Sequence, residues 1–296
     1  MFIRDKRTAQ VAALIATGLM LAFPPSGFAR NGTISEATAM PYNYDDAISM
    51  SGCFMTLHLF KDSAERLGKW VPDPNRYKVT GTVPGQPDQA WLTFWFYSCR
   101  DLAINGGRSR PANLSLVAVV VKKPEGRGTR PWYDPLFNAP IDFDSYLVWA
   151  HTDHEELAGR LRQVGMPVHR AREVRFERAN EFEASTFVLS DAGTYSSKVM
   201  GSIDDTLHHH DNSFWHWRRP FGEAQLRIQI GSPEHPTADD RGCKDSFTID
   251  IPISCSSVSA EGGSEVATLL GAPMRDDSAA FNHLEFDAVA FIRSYD

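Results

Sequence analysis

The chain has 296 residues, of which 30 are Lys or Arg and 37 are Asp or Glu, for a formal net charge of −7. This acidic balance excludes DNA, RNA and anionic membrane surfaces as principal partners, because these select clustered Lys and Arg. At this length, with 11% aromatic residues, the chain can bury a substantial core, and the partner that composition favours is a small, partly apolar organic molecule.

The chain opens on Arg4, Lys6 and Arg7, continues through an apolar run from Val11 to Phe23, and reaches small residues at Gly27-Phe28-Ala29. That is the layout of a secretory signal, so residues 1–29 are read as a signal peptide and the mature protein as beginning at Arg30, in the periplasm or secreted. No later stretch reaches the roughly 20 uninterrupted apolar residues of a membrane helix, so no membrane span is expected after signal removal. Asn31 to Tyr44 is polar and lacks a period, and residues 30–48 are read as a flexible N-terminal segment. Residues 49–296, with no repeat and no linker-like composition break, read as one domain.

From there the chain alternates short β-rich runs with Gly, Pro, Asn and Asp punctuation. Strands are expected at Cys53–Leu59, Lys78–Thr82, Ala90–Cys99, Leu114–Val121, Ser145–His151, Val174–Phe176, Glu183–Ser190, Ala224–Ile230, Phe247–Ile253 and Leu284–Ile292. Three helices interrupt them. Ser63–Trp70 follows Asp62, Asp153–Val164 follows the capping box Thr152-x-x-Glu155 and ends at Gly165, and Ser264–Leu270 ends at Gly271. The predicted fold class is mainly β (α+β), a large closed antiparallel β-barrel with a few short flanking helices.

Four cysteines follow the signal: Cys53, Cys99, Cys243 and Cys255. An even count in an oxidising compartment favours two disulfides. Spacing does not fix their connectivity, although Cys53 and Cys99 sit in two early strands that could be neighbours.

Several groups of residues carry candidate chemistry. Lys122 and Lys123 close the most hydrophobic strand, and a lysine in an apolar pocket beside a second cation loses proton affinity and can attack a ketone as the free amine. A solvated turn before Pro124-Glu125-Gly126 is the plainer account. His208-His209-His210-Asp211 carries metal-ligand types without metal-site spacing, so no metal and no cofactor are expected. In Phe214-Trp215-His216-Trp217-Arg218-Arg219, Trp215 and Trp217 share one face of a strand and His216 and Arg218 the other, as in a pocket wall with one titratable side. His151 and His154 straddle a helix start, where cationic imidazole is disfavoured; they read as surface cap residues, with a base or ligand role as the alternative. No GxSxG elbow, Walker loop or dinucleotide fingerprint occurs.

The order of elements, together with Val71-Pro72-Asp73-Pro74, Tyr97-Ser98-Cys99-Arg100, Trp149-Ala150-His151-Thr152-Asp153 and Phe214-Trp215-His216, resembles the acetoacetate decarboxylase-like superfamily from about Ser49 onward. The resemblance implies a large barrel with an internal pocket for a small organic molecule, and a lyase-like activity. Members that decarboxylate through a Schiff base place the lysine after Gly-x-Pro, whereas here Val119-Val120-Val121 precedes Lys122-Lys123, which argues against that mechanism. The expectation is therefore an exported protein that binds and transforms a small organic acid or ketone. Lys122 or Lys123 would serve as amine, His216 as acid or base, and Arg218 or Arg219 would hold a carboxylate. The aromatic wall would come from Trp95, Trp215 and Trp217. The alternative is a non-catalytic carrier for a hydrophobic compound, its pocket walled by Trp91, Trp95, Phe96, Trp215 and Trp217.

Overall fold

The computed structural model describes residues 46–83, 85–122, 124, 132–134, 139–141, 143–179, 183–200, 213–219, 223–230 and 255–295. The segment expected to be a signal peptide, Lys123, His208–Asp211, Cys243 and the strand expected at Phe247–Ile253 lie outside the described residues. In chain order the elements are β1 (Asp46–Ser63), α1 (Ala64–Gly68), β2 (Gln89–Ile104), β3 (Arg110–Lys122), β4 (Trp132–Asp134), β5 (Ala139–Ile141) and β6 (Phe143–Thr152). They continue with α2 (Glu155–Gln163), β7 (Val168–Arg178), β8 (Glu183–Ser190), β9 (Gly193–Met200), β10 (Ser213–Arg218) and β11 (Glu223–Ile230). The last are β12 (Cys255–Ala260), α3 (Glu265–Leu270), β13 (Met274–Arg275) and β14 (Ala279–Tyr295). Among the described residues no helix is long and apolar enough to cross a membrane.

Twelve strands share one hydrogen-bonded order, β10-β11-β14-β1-β2-β3-β6-β7-β8-β9-β12-β13. The protein is mostly β, but the expected closed antiparallel barrel is not what forms: the sheet is a curled, open half-barrel. Two features mark where it departs from a simple antiparallel barrel. The far edge of β6 is shared, with β10 pairing in parallel at Ser145 and Tyr146 and β7 pairing in parallel at Ala150, His151 and Thr152, so the sheet forks there. The parallel β6–β7 pair follows from its connection, since a crossover through α2 returns the chain in the same direction.

At the other margin, β13 meets the end of β1 through side chains. Arg275 pairs with Asp62 at 2.7 Å and donates to the Lys61 carbonyl at 2.8 Å, and its guanidinium lies over the Phe60 ring. Asp62 also pairs with Arg66, whose guanidinium donates to the Leu269 carbonyl at 2.6 Å and so satisfies the C-terminal turn of α3.

How far the sheet curls is read from one contact. Tyr195 on β9 stands four strands from Ser115 on β3 in the sheet order, yet their hydroxyls are 2.8 Å apart. A flat sheet would separate them by roughly 19 Å, at about 4.8 Å per strand.

The central strands bury both faces. On one, Cys53, Tyr97, Leu114, Leu116 and Ala150 pack against Leu157 and Leu161 of α2. On the other, concave face, Phe60, Phe94, Phe96, Val117, Val188 and Tyr195 pack with Val266 and Leu269 of α3. A strand covered on both faces shows no polar alternation, which is why Leu114–Val121 reads as a continuous apolar run. The first face is stapled by a disulfide between the directly paired Cys53 and Cys99, Cα atoms 4.0 Å apart, beside register shifts in both strands.

The helices keep their expected places with shorter bodies. Ser264 caps α3 by accepting from the Ala267 amide, and Gly271 closes it at φ 77°. His154 caps α2, its Nδ1 accepting from the Leu157 amide at 3.1 Å. Lys78–Thr82 is not a strand: Thr82 donates to the Val79 carbonyl in a turn, while the Lys78 carbonyl accepts from the Lys122 amide beside the end of β3.

Candidate functional site

Four polar residues of the concave face fall on one cross-strand row. Thr56 of β1 stands opposite Phe96 of β2, Phe96 opposite Ser115 of β3, Ser115 opposite His151 of β6, and His151 opposite His169 of β7. This row depends on a bulge. Val117 pairs with Trp149 but Ala118 with Leu147, leaving Val148 as an extra residue in β6. Without it, His151 would stand opposite Leu114 and point toward α2; the added residue reverses the alternation and turns Trp149 and His151 inward.

Tyr195 reaches this row from the opposite wall. Its strand starts at Gly193, which lies against the side chain of Ser264: a Cβ there would come within 2.5 Å of the Ser264 Cβ, so α3 can seat on β9 only over a glycine.

The Tyr195 hydroxyl is 2.8 Å from Ser115 Oγ and 3.0 Å from His151 Nδ1, and all three residues are buried. The His169 ring stacks on that of His151 with centroids 5.5 Å apart, and His169 is only half-buried, so the chain of polar groups runs from the interior toward solvent. Burial, and secondarily the neighbouring His169, pull the His151 imidazole from 6.5 down to about 3, and burial raises the Tyr195 phenol against the opposing effect of Ser115. Both are neutral at physiological pH.

A second imidazole, His58, lies one row along on the same face, edge-on to Phe96 and wholly buried. Burial takes it to about 3 as well, and its Nδ1 is 3.5 Å from Ser278 Oγ. Among the described residues, Thr56 Oγ1, His58 Nε2, Trp149 Nε1, His151 Nε2, Thr186 Oγ1 and Ser197 Oγ have no hydrogen-bond partner. By strand alternation all six belong to the concave face. Buried polar atoms are ordinarily paired, at a cost of about 1–3 kcal/mol each when they are not, so these six atoms are groups a polar ligand could satisfy.

A proton on Tyr195 can point either way along the chain. If Ser115 donates to Tyr195 and Tyr195 to His151 Nδ1, the His151 Nε2 carries hydrogen and faces the interior as a donor. If His151 Nδ1 donates to Tyr195 and Tyr195 to Ser115, Nε2 becomes an acceptor. Both arrangements carry the same protons, so His151 can present Nε2 as donor or as acceptor with every group of the chain neutral. A proton actually given or taken at Nε2 leaves the opposite charge shared between the chain and the group it exchanged with.

The residues singled out from sequence are placed elsewhere. Lys122 ends β3 exposed, its ammonium over Gly81. Trp95 is half-buried on the opposite face, stacked on Tyr97, and Trp91 shares its alternation, with Lys61 over the Trp91 ring. Trp215, His216 and Trp217 lie in β10, paired through the backbone with Leu226, Gln225 and Ala224, and their side chains fall outside the described residues. Arg218 is exposed and its amide donates to the Tyr146 hydroxyl at 3.4 Å, whereas Arg219 is half-buried against Gly165. Of the aromatic wall, Phe96 is the described member on the concave face. His154 is the cap residue expected, but His151 is an interior residue, moved there by the bulge. Cys53 and Cys99 pair, and the Cys255 side chain, like Cys243, lies outside the described residues. Ser115 and Tyr195 carried no sequence signal, being single hydroxyls in apolar or serine-rich strands.

No family model and no curated protein matches the sequence. Solved structures match nearly its whole length. An acetoacetate decarboxylase-like enzyme from Sphingomonas wittichii RW1 superposes with a TM-score of 0.50 at 10% identity, over 95% of this chain and 100% of that one. The enduracididine biosynthesis enzyme MppR with HEPES buffer bound gives 0.50 at 10% identity over 95% and 98%. MppR complexed with pyruvate gives 0.47 at 11% over 92% and 98%. At these identities the likeness is one of fold: the chain has the acetoacetate decarboxylase-like fold that its sequence resembles.

Proposed function

We propose that this protein is an exported enzyme that transforms a small, partly apolar organic acid or ketone by proton transfer at the Ser115–Tyr195–His151 chain. The observation that carries the reading is that chain, buried on the concave face and ending in an unpartnered Nε2 among the described residues. A carbonyl oxygen against Nε2–H would be stabilised as charge develops on it, and in the reversed arrangement Nε2 accepts the proton from the adjacent carbon. General acid–base work of this kind contributes about 10²–10⁴-fold. No Lys is among the buried described residues, which favours a lyase-like reaction without an amine adduct. The basic start, apolar run and small residues of positions 1–29 support export, and the Cys53–Cys99 disulfide is at home in an oxidising compartment.

The test is to incubate the protein with a panel of β-keto acids, 2-oxo acids and ketones and follow consumption by NMR. At least one compound should be consumed, and Tyr195→Phe should suppress its turnover with the fold intact. Borohydride in the same mixtures should trap no adduct; a mass addition on Lys122 or Lys123 would replace proton transfer with amine catalysis. Retention of a ligand without its consumption would leave the carrier reading, which the tightly packed apolar wall of Phe94, Phe96, Val117 and Val188 favours. Expression in a bacterial host followed by fractionation should find a periplasmic product starting at Arg30.

A further inference from the structure

Among the described residues, the concave face offers unpartnered hydrogen-bonding atoms that carry no charge. Its unpartnered atoms belong to Thr56, His58, Trp149, His151, Thr186 and Ser197, each at least nine-tenths buried, and both imidazoles are held neutral by burial. The cations near it are engaged elsewhere: Arg66 and Arg275 with Asp62 and the end of α3 at the seam, Arg175 between Glu173 and Glu177 at the surface, Lys198 with Glu183. Lys122 and Arg218 are exposed, and no Lys or Arg is buried among the described residues.

A carboxylate entering such an interior loses hydration that only a fixed cation beside it can offset. Charging His151 for that purpose is opposed by its own burial and by the ring of His169 stacked upon it. An ester, ketone or lactone presents the same carbonyl oxygen to Nε2–H and the hydroxyls, and brings no charge to desolvate. From this arrangement of neutral donors, with the described cations near it held by carboxylates, we infer that the interior selects an uncharged carbonyl compound over a free carboxylate. The inference rests on the proposed reading of the Ser115–Tyr195–His151 group as the site, and narrows its substrate class to the ketone and ester side.

The experiment compares pairs of one carbon skeleton, methyl acetoacetate with acetoacetate and methyl benzoylacetate with benzoylacetate, by calorimetric titration of the full chain at neutral pH. The imidazole nitrogen resonances of His151 report where each binds. The ester of at least one pair should bind at least about tenfold more tightly than its acid and shift the His151 Nε2 resonance. Acid binding as tight as ester binding in both pairs overturns the inference, as does failure of every ester to shift that resonance. The two proposals fail separately. A carboxylate consumed at a rate that depends on Tyr195 keeps the catalytic reading and removes this one, whereas tight ester binding at His151 without turnover of anything does the reverse.

Discussion

The two faces of β1, β2, β3 and β6 are made from alternate residues of the same strands, and they are built to opposite ends. One is mostly apolar, stapled by Cys53–Cys99 and covered by α2, with buried Asp46 paired to Arg160 of that helix. The other interleaves Phe94, Phe96 and Val117 with Thr56, His58, Ser115 and His151, and leaves several polar atoms without partners among the described residues. If the second face is the proposed site, its unpartnered polar atoms are where local consistency would yield to function.

The sharpest way to break this comparison is to remove the polar chain. Tyr195→Phe keeps the ring and its contacts with Phe94 and Phe96, yet should lower kcat by about 10²–10⁴-fold, and a thermal melt should show the fold retained. Next in size is acid lability. The unfolded chain protonates His58 and His151 below 6.5, whereas the folded protein resists until about 3. Stability from this source is therefore complete above pH 6.5 and falls as pH drops toward 3, by about 1.4 kcal/mol per pH unit for each histidine. Denaturant midpoints measured across that window should fall steeply, and less steeply in His58→Phe.

On the opposite face, Cys53→Ala with Cys99→Ala should cost about 2–4 kcal/mol in urea unfolding while leaving ligand binding unchanged. If binding moved as much as stability, the two faces would not be separable. The smallest effect is expected at Ser264→Ala. It removes the cap of the helix that covers the concave face and should cost about 1 kcal/mol, read as a shift of a few degrees in Tm.

The parts of the fold that depend on neighbouring residues were legible in the sequence. Strand Glu183–Ser190 falls where its alternation puts it, Ser264 and Gly271 bound α3 as their chemistry requires, and Cys53 and Cys99 lie in adjacent strands. What escaped depends on distant ones. The inward turn of His151 is set by one extra residue, Val148, visible only against β3. Tyr195 sits in Gly-Thr-Tyr-Ser-Ser-Lys-Val-Met, whose serines hide the alternation of Tyr195, Ser197 and Val199, and it meets Ser115 through the curl of four strand spacings. The fork at β6 and the side-chain seam of Asp62 and Arg275 likewise have no local signature. Lysines and tryptophans drew attention by chemical type, but Lys122 lies exposed at a strand end and Trp95 half-buried on the other face.

One pairing bears on when the protein can fold. β1 is hydrogen-bonded along most of its length to β14, with Asp46 opposite Ile292 and Leu59 opposite Ala279, so the first described strand waits for the last. Until the ribosome has made β14, β1 lacks a lasting neighbour on that side, and closing so long a loop is slow. A polypeptide that stays unfinished until its end emerges remains threadable in the meantime, a delay that would suit the proposed export.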